Sequence, residues 1–197
     1  MTMTLYYSPG ACSLADHIAL AESGLDYDTV SVDLKTHKTE DGRDYYDITP
    51  KGAVGAIETG GEVFTENAAL LVMIAEKSGK LLPKDGTMRY RVLEATVFIT
   101  TEVHKSFAPL FQGGSDAEKQ AAREKIGKKF DHMETMLGDK AFLVGKEMSI
   151  ADCYAVVMLF WATSQKIDLP PKLAAYMTNI VARPAVQTAM KAEGLMN

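Results

Sequence analysis

The chain has 197 residues, 47% hydrophobic and 24% charged, with a net charge of −5. These values suit a globular protein with apolar side chains for one large or two small cores, and the acidic balance gives no electrostatic reason to seek nucleic acid or an anionic membrane. The start, Met1-Thr2-Met3-Thr4, lacks a basic region followed by a long apolar run, and no apolar stretch is long enough to span a bilayer, so a cytoplasmic protein is expected.

In chain order, Met3–Tyr7 reads as a strand that runs into the Pro9-Gly10 turn. A helix is expected over Cys12–Ser23, because Leu14, His17, Ile18 and Leu20 recur at helical spacing, with Gly24 as its stop. Tyr27–Val32 is a second strand, and Lys35–Tyr46 a polar loop with room for a short helix. Ala53–Ile57 and Glu62–Phe64 flank Glu58-Thr59-Gly60-Gly61, a hairpin signal in which the glycines supply positive φ. Asn67–Lys77 is a helix closed by Gly79. The order strand-helix-strand, hairpin, helix predicts an α/β layer with a mixed sheet.

Beyond Leu81-Leu82-Pro83-Lys84-Asp85-Gly86 the pattern becomes helical throughout, so the division falls into domains 1–82 and 87–197. Thr87–Leu110 is a long helical segment that Pro109 ends or bends. Asp116–Leu137 is amphipathic, and Ser149–Ser164 is apolar enough to be buried on most sides. Pro170–Val181 and Pro184–Glu193 each open on proline, which suits a first helical turn. Ser149 and Asp152 have capping-box spacing, which makes Asp152 a folding device bonded to the Gly145–Ser149 turn.

Chemistry concentrates first on Cys12. A helix start presents unpaired N–H groups and a positive field, and that field favours a thiolate. Cys12 has no Cys-x-x-Cys partner, since Ala15 stands where the second thiol would be. Cys12 and Cys153 are read as free thiols, Cys153 as inert in its apolar helix, and no His/Cys cluster has metal-ligand spacing. Tyr6 and Tyr7 lie on opposite faces of one strand, and a packing role is expected for both.

Several of these stretches together resemble one family. Tyr6–Ser13 reads Tyr-x-x-Pro-Gly-Ala-Cys-Ser; His104-Lys105 lies in the first long helix; the Ser-x-x-Asp box and Arg183-Pro184-Ala185-Val186 follow. The pattern is similar to the cytosolic glutathione S-transferases, in particular the bacterial beta class, and it spans essentially the whole chain. The resemblance implies an α/β thioredoxin-like N-terminal domain plus an all-α C-terminal domain. It implies glutathione as co-substrate, no metal, a small hydrophobic electrophile bound between the domains, and a homodimer with Arg89 and Arg91 near its interface.

Position by position, the resemblance places Cys12 opposite the glutathione sulfur, and Val54 offers its backbone N–H and C=O to the cysteinyl unit. Glu66 and Asn67 hold the γ-glutamyl end at a helix start, where N–H groups receive a carboxylate well. His37 stands at the position of a lysine that reaches the glycyl carboxylate. Thr101, Glu102, Val103 and His104 form the stretch that approaches glutathione from the helical domain, with His104 exchanging a proton with the sulfur.

Three departures stand against that pattern: Val54-Gly55 in place of Val-Pro with a cis proline, His37 in place of lysine, and Ala95-Thr96-Val97 in place of Trp-x-Asn. A glycine has little intrinsic reason to follow a cis bond, so a trans Val54-Gly55 bond is expected. That bond would displace the Val54 backbone and weaken glutathione binding, and Gly55→Pro would restore it. The resulting expectation is an enzyme that conjugates the glutathione thiolate to apolar electrophiles, with possible thiol transfer through Cys12. The alternative is a binding or interaction protein of the same fold with weak or no glutathione chemistry.

Overall fold

The computed structural model of the chain describes residues 2–196. Its first unit comprises Met1–Leu82 together with Arg183–Asn197, and its second Pro83–Ala182. The expected helical half, 87–197, is thus corrected at its end: the last helix groups with the first unit.

The first unit is built on a five-stranded sheet in the order β3-β2-β1-β4-β5. Its strands are β1 (Met3–Tyr7), β2 (Tyr27–Asp33), β3 (Lys38–Thr39), β4 (Ala56–Thr59) and β5 (Glu62–Thr65). β1 runs parallel to β2 and antiparallel to β4, so the sheet is mixed, as the element order predicts. The β4–β5 hairpin turns at Gly60 and Gly61, both at positive φ (63° and 79°).

Alternation along β1 sends Tyr6 to one face, where it joins Val32, Tyr45, Val54 and Ala56. Tyr7 goes to the other face, against the His17 ring of α1 (Leu14–Ser23). Both tyrosines are buried, because both sheet faces are covered here. A short helix, α2 (Tyr45–Ile48), carries Tyr45 into the Tyr6 cluster. α3 (Asn67–Ser78) packs on α1 and ends at Gly79 in the left-handed conformation.

The second unit is helical: α4 (Gly86–Phe98), a π-helical segment Ile99–His104, α5 (Ala108–Phe111), α6 (Asp116–Leu137), α7 (Ile150–Ser164) and α8 (Pro171–Val181). The long helical segment expected over Thr87–Leu110 is present, with Ile99–His104 widened to a π turn and a separate short helix opening beside Pro109. α7 is buried on most sides, as its composition requires.

α9 (Pro184–Ala192) returns to the first unit and packs on α1. Arg183, just before it, clasps Glu22 of α1 with two hydrogen bonds of 2.6 and 2.8 Å, a fork geometry that fixes orientation. Beyond α9, the fully buried Glu193 carboxylate accepts the Gly10 N–H at 2.8 Å and pairs with His17 Nδ1 at 2.9 Å. The chain terminus thereby pins the turn that leads to Cys12.

Candidate active site

Ser8-Pro9-Gly10-Ala11 forms a turn closed by Ala11 N–H to Ser8 C=O at 3.0 Å, with Gly10 at φ 70°. Proline ahead of a positive-φ glycine is the sequence such a turn requires. The turn delivers Cys12 two residues before the first residue of α1, not into the helix itself. There the Cys12 thiol donates to the Val54 carbonyl at 3.1 Å, and the Cys12 carbonyl accepts Asn67 Nδ2–H at 2.7 Å. Three of the expected residues therefore meet directly: Cys12, Val54 and Asn67.

Two expectations fail at this point. First, the Cys12 thiol is not activated. Burial of its sulfur, and then the nearby Asp16 carboxyl, push it up to about 12, outweighing the N–H groups around it. Donation to a carbonyl also stabilises the neutral thiol. Second, the Val54-Gly55 bond is cis. Val54 is held in the core with Tyr6, Tyr45 and Ala56, and Gly55 is buried against α1, so the surroundings and not the residue's own preference set the chain path. A Cβ at Gly55 would come within 2.6 Å of Asp16 Oδ2 and 3.3 Å of Ser13 Cβ. The displaced Val54 loses its ground, and so does the expected benefit of Gly55→Pro, since Asp16 occupies the space a side chain needs.

Glu66 has φ 73° and immediately precedes α3; its exposed side chain reaches Lys51 Nζ at 2.5 Å. The first turn of this 12-residue helix presents backbone N–H groups beside it. His37 stands apart from the Cys12 contacts: its ring lies 4.5 Å from that of Tyr46, and Nε2 shares a 3.2 Å hydrogen bond with the Tyr46 hydroxyl.

In the second unit Thr101, Glu102, Val103 and His104 all lie on the π-helical segment. Thr101 Oγ1 donates to the Val97 carbonyl at 2.9 Å, Glu102 pairs with Lys129 at 2.6 Å, and Val103 is buried. Glu102 and Val103 are therefore occupied by ion pairing and packing. His104 Nδ1 and the Tyr154 hydroxyl are 2.6 Å apart, and Trp161 meets the imidazole edge-on at 5.0 Å. Burial, and then the Lys105 charge, hold the His104 ring below the usual histidine range, which favours its neutral form. Trp161 also contacts Phe107 and Phe111, making an aromatic group beside His104.

Asp16, Glu193, Tyr154 and Trp161 escaped the sequence reading. Asp16 stands four residues after Cys12, a spacing that could have marked it. Nothing in the sequence ties Glu193 to Gly10. Among the described residues, no group of three or more His, Cys, Asp or Glu could hold a metal ion, and no helix is long and apolar enough to cross a membrane.

Residues 1–76 match the glutathione S-transferase N-terminal domain, and residues 92–184 the C-terminal domain of the same family. The chain belongs to the glutathione S-transferase family. It is 40% identical to glutathione S-transferase GstA of Escherichia coli O157:H7, across 98% of this chain and all of that one. Among solved structures it resembles the bacterial beta class glutathione S-transferase of Sphingomonas chungbukensis, with 43% identity and a TM-score of 0.91 over 98% of this chain and all of that one. A sphingomonad glutathione S-transferase complexed with glutathione gives 43% identity and a TM-score of 0.92 over the same shares. The α/β domain followed by helices is thus the glutathione S-transferase fold, with the beta class among its near relatives.

Proposed function

We propose that the protein binds glutathione on its first unit and conjugates the glutathione sulfur to small hydrophobic electrophiles. The observation that carries this reading is the meeting of Cys12, the Val54 backbone and Asn67 at the start of α3. The Val54 N–H and C=O pair with the cysteinyl unit of glutathione, and the α3 N-terminus, with Glu66 and Asn67, receives the γ-glutamyl end. His37 takes the glycyl end, with a ring where the family pattern has an amino group.

A Cys12 thiol held neutral serves best as a hydrogen-bond donor to the bound glutathione sulfur. Its own thiolate is scarce, so conjugation, not thiol transfer through Cys12, is the principal activity. In the reaction the glutathione S–H bond breaks, the neutral His104 ring accepts the proton, and the thiolate forms a carbon–sulfur bond as the leaving group departs. Thr101, on the same helical segment as His104, belongs to the stretch that approaches glutathione. The exposed Phe111 ring, stacked on the buried Phe107 and edge-on to Trp161, suits a flat aromatic electrophile.

A steady-state assay with glutathione and a halonitrobenzene tests this. Wild type is expected to exceed the uncatalysed rate, and His104→Ala to lower kcat/KM by about ten- to a hundredfold. A wild-type rate equal to the uncatalysed one, with glutathione still bound, would instead support a binding protein. The protein works in the cytoplasm as a homodimer. The exposed Met88, Tyr90 and Val97 of α4 supply apolar surface for a partner near Arg89 and Arg91. Sedimentation should give twice the chain mass at about 10 μM; a monomer there would contradict the dimer, since such interfaces bury on the order of 2,000 Å² or more.

A further inference from the structure

Asp16 is fully buried, and neither carboxylate oxygen has a hydrogen-bond partner. Buried carboxyls are ordinarily paired, so this one stands out. Two geometric facts locate its role. It lies in the first turn of α1, which begins two residues after Cys12, and close enough for its charge to act on the thiol. Its Oδ2 also fills the space that a side chain at position 55 would need, directly after the Val54 carbonyl that accepts the Cys12 thiol. Gly55 and Asp16 are therefore complementary: the residue lacking a side chain makes room for a carboxyl beside the thiol.

We propose that Asp16 is a positioning residue for the thiol chemistry of this site: its carboxyl, seated in the space left by Gly55, keeps a proton beside Cys12, so that negative charge on either group opposes negative charge on the other. Complete burial, and then the Glu193 carboxylate, raise Asp16 well above the usual carboxylate range. The sign follows. While Asp16 holds its proton, the pocket is neutral and a negative sulfur is tolerated. As pH rises through the Asp16 midpoint, the new carboxylate opposes any thiolate beside it.

The titratable groups around this pair come from each packed element. Glu193, beyond α9, acts on Asp16 and is itself paired with His17 of α1. Tyr7 of β1 lies against His17, Tyr45 of α2 is close enough to Cys12 for their charges to interact, and α3 contributes the neutral Asn67.

The inference rests on Cys12 facing the glutathione sulfur, but its test needs no glutathione, so its failure is separate from failure of the transferase reading. Alkylation of Cys12 by iodoacetamide is followed against pH in wild type and in Asp16→Asn, which keeps shape and removes the charge. The Asn variant is expected to shift the midpoint down by about one pH unit or more, raising the rate at pH 9 about tenfold. A purely structural role would change stability and leave this midpoint in place. Should the variant not fold, the wild-type protein decides the matter through the carbon-13 shift of the Asp16 carboxyl, which should still report a protonated acid at pH 7. An unchanged alkylation midpoint, or an Asp16 carboxyl that titrates near the ordinary value of about 4, would overturn the proposal.

Discussion

Cys12 in the free protein should resist alkylation across the neutral range. Its thiol is pushed up to about 12, first by burial and then by the Asp16 carboxyl. An ordinary thiol of pKa about 8.5 is roughly a quarter ionised at pH 8, whereas one near 12 is ionised in on the order of one molecule in 10⁴. Because the thiolate is the reacting form, iodoacetamide should modify Cys12 about a thousandfold more slowly than a model thiol at pH 8. The rate should keep rising with pH and reach no plateau below pH 10. Peptide mapping keeps the signal apart from Cys153, which is fully buried in α7. A plateau at or below pH 8.5 would mean that the helix-start field dominates after all.

The second large effect concerns stability. Asp152, buried at the start of α7, accepts four hydrogen bonds of 2.7–2.8 Å: from the Leu143 and Ser149 N–H groups, the Ser149 hydroxyl and the Tyr176 hydroxyl. One carboxylate thus closes the capping box, fixes the loop before α7 and anchors α8. Asp152→Ala leaves several buried donors unpaired, each costing about 1–3 kcal/mol before relaxation. A loss of about 3–5 kcal/mol is expected in urea unfolding, with Tm lower by roughly 10 °C. Asp152→Asn should fall between, because its amide keeps one acceptor and turns a donor toward other donors. A loss below about 1 kcal/mol for the Ala variant would show that the network is incidental.

The sequence made most of the fold legible because its signals are local. The apolar run of β1, the Gly60-Gly61 turn, the glycine after α3 and the Ser149–Asp152 box each act within a few residues, and each stands where the pattern puts it. The π-helical widening ahead of Pro109 was not legible, because α-helical and π-helical spacing differ too little over one turn.

At the site, residue identities carried further than electrostatics. Cys12, Val54 and Asn67 meet, but the state of the thiol depends on groups brought in from a distance. The Val54 carbonyl and Gly55 arrive from the loop before β4, and Glu193 arrives from beyond α9. A helix-start argument counts only the N–H groups of its own segment; it misses both the burial and the carboxyl that decide the balance. Gly55 shows the same limit. Its bond conformation follows from what encloses it, and its lack of a side chain is explained by Asp16, a residue 39 positions earlier.

The central claim is that glutathione binds across Cys12, Val54 and the start of α3. Titration of the nitrogen-15-labelled protein with glutathione, followed by amide resonances, tests it most directly. Saturable shifts are predicted at Cys12, Val54, Glu66 and Asn67, with one glutathione per chain. The absence of saturable shifts at millimolar glutathione, or shifts confined to amides elsewhere, would contradict the account.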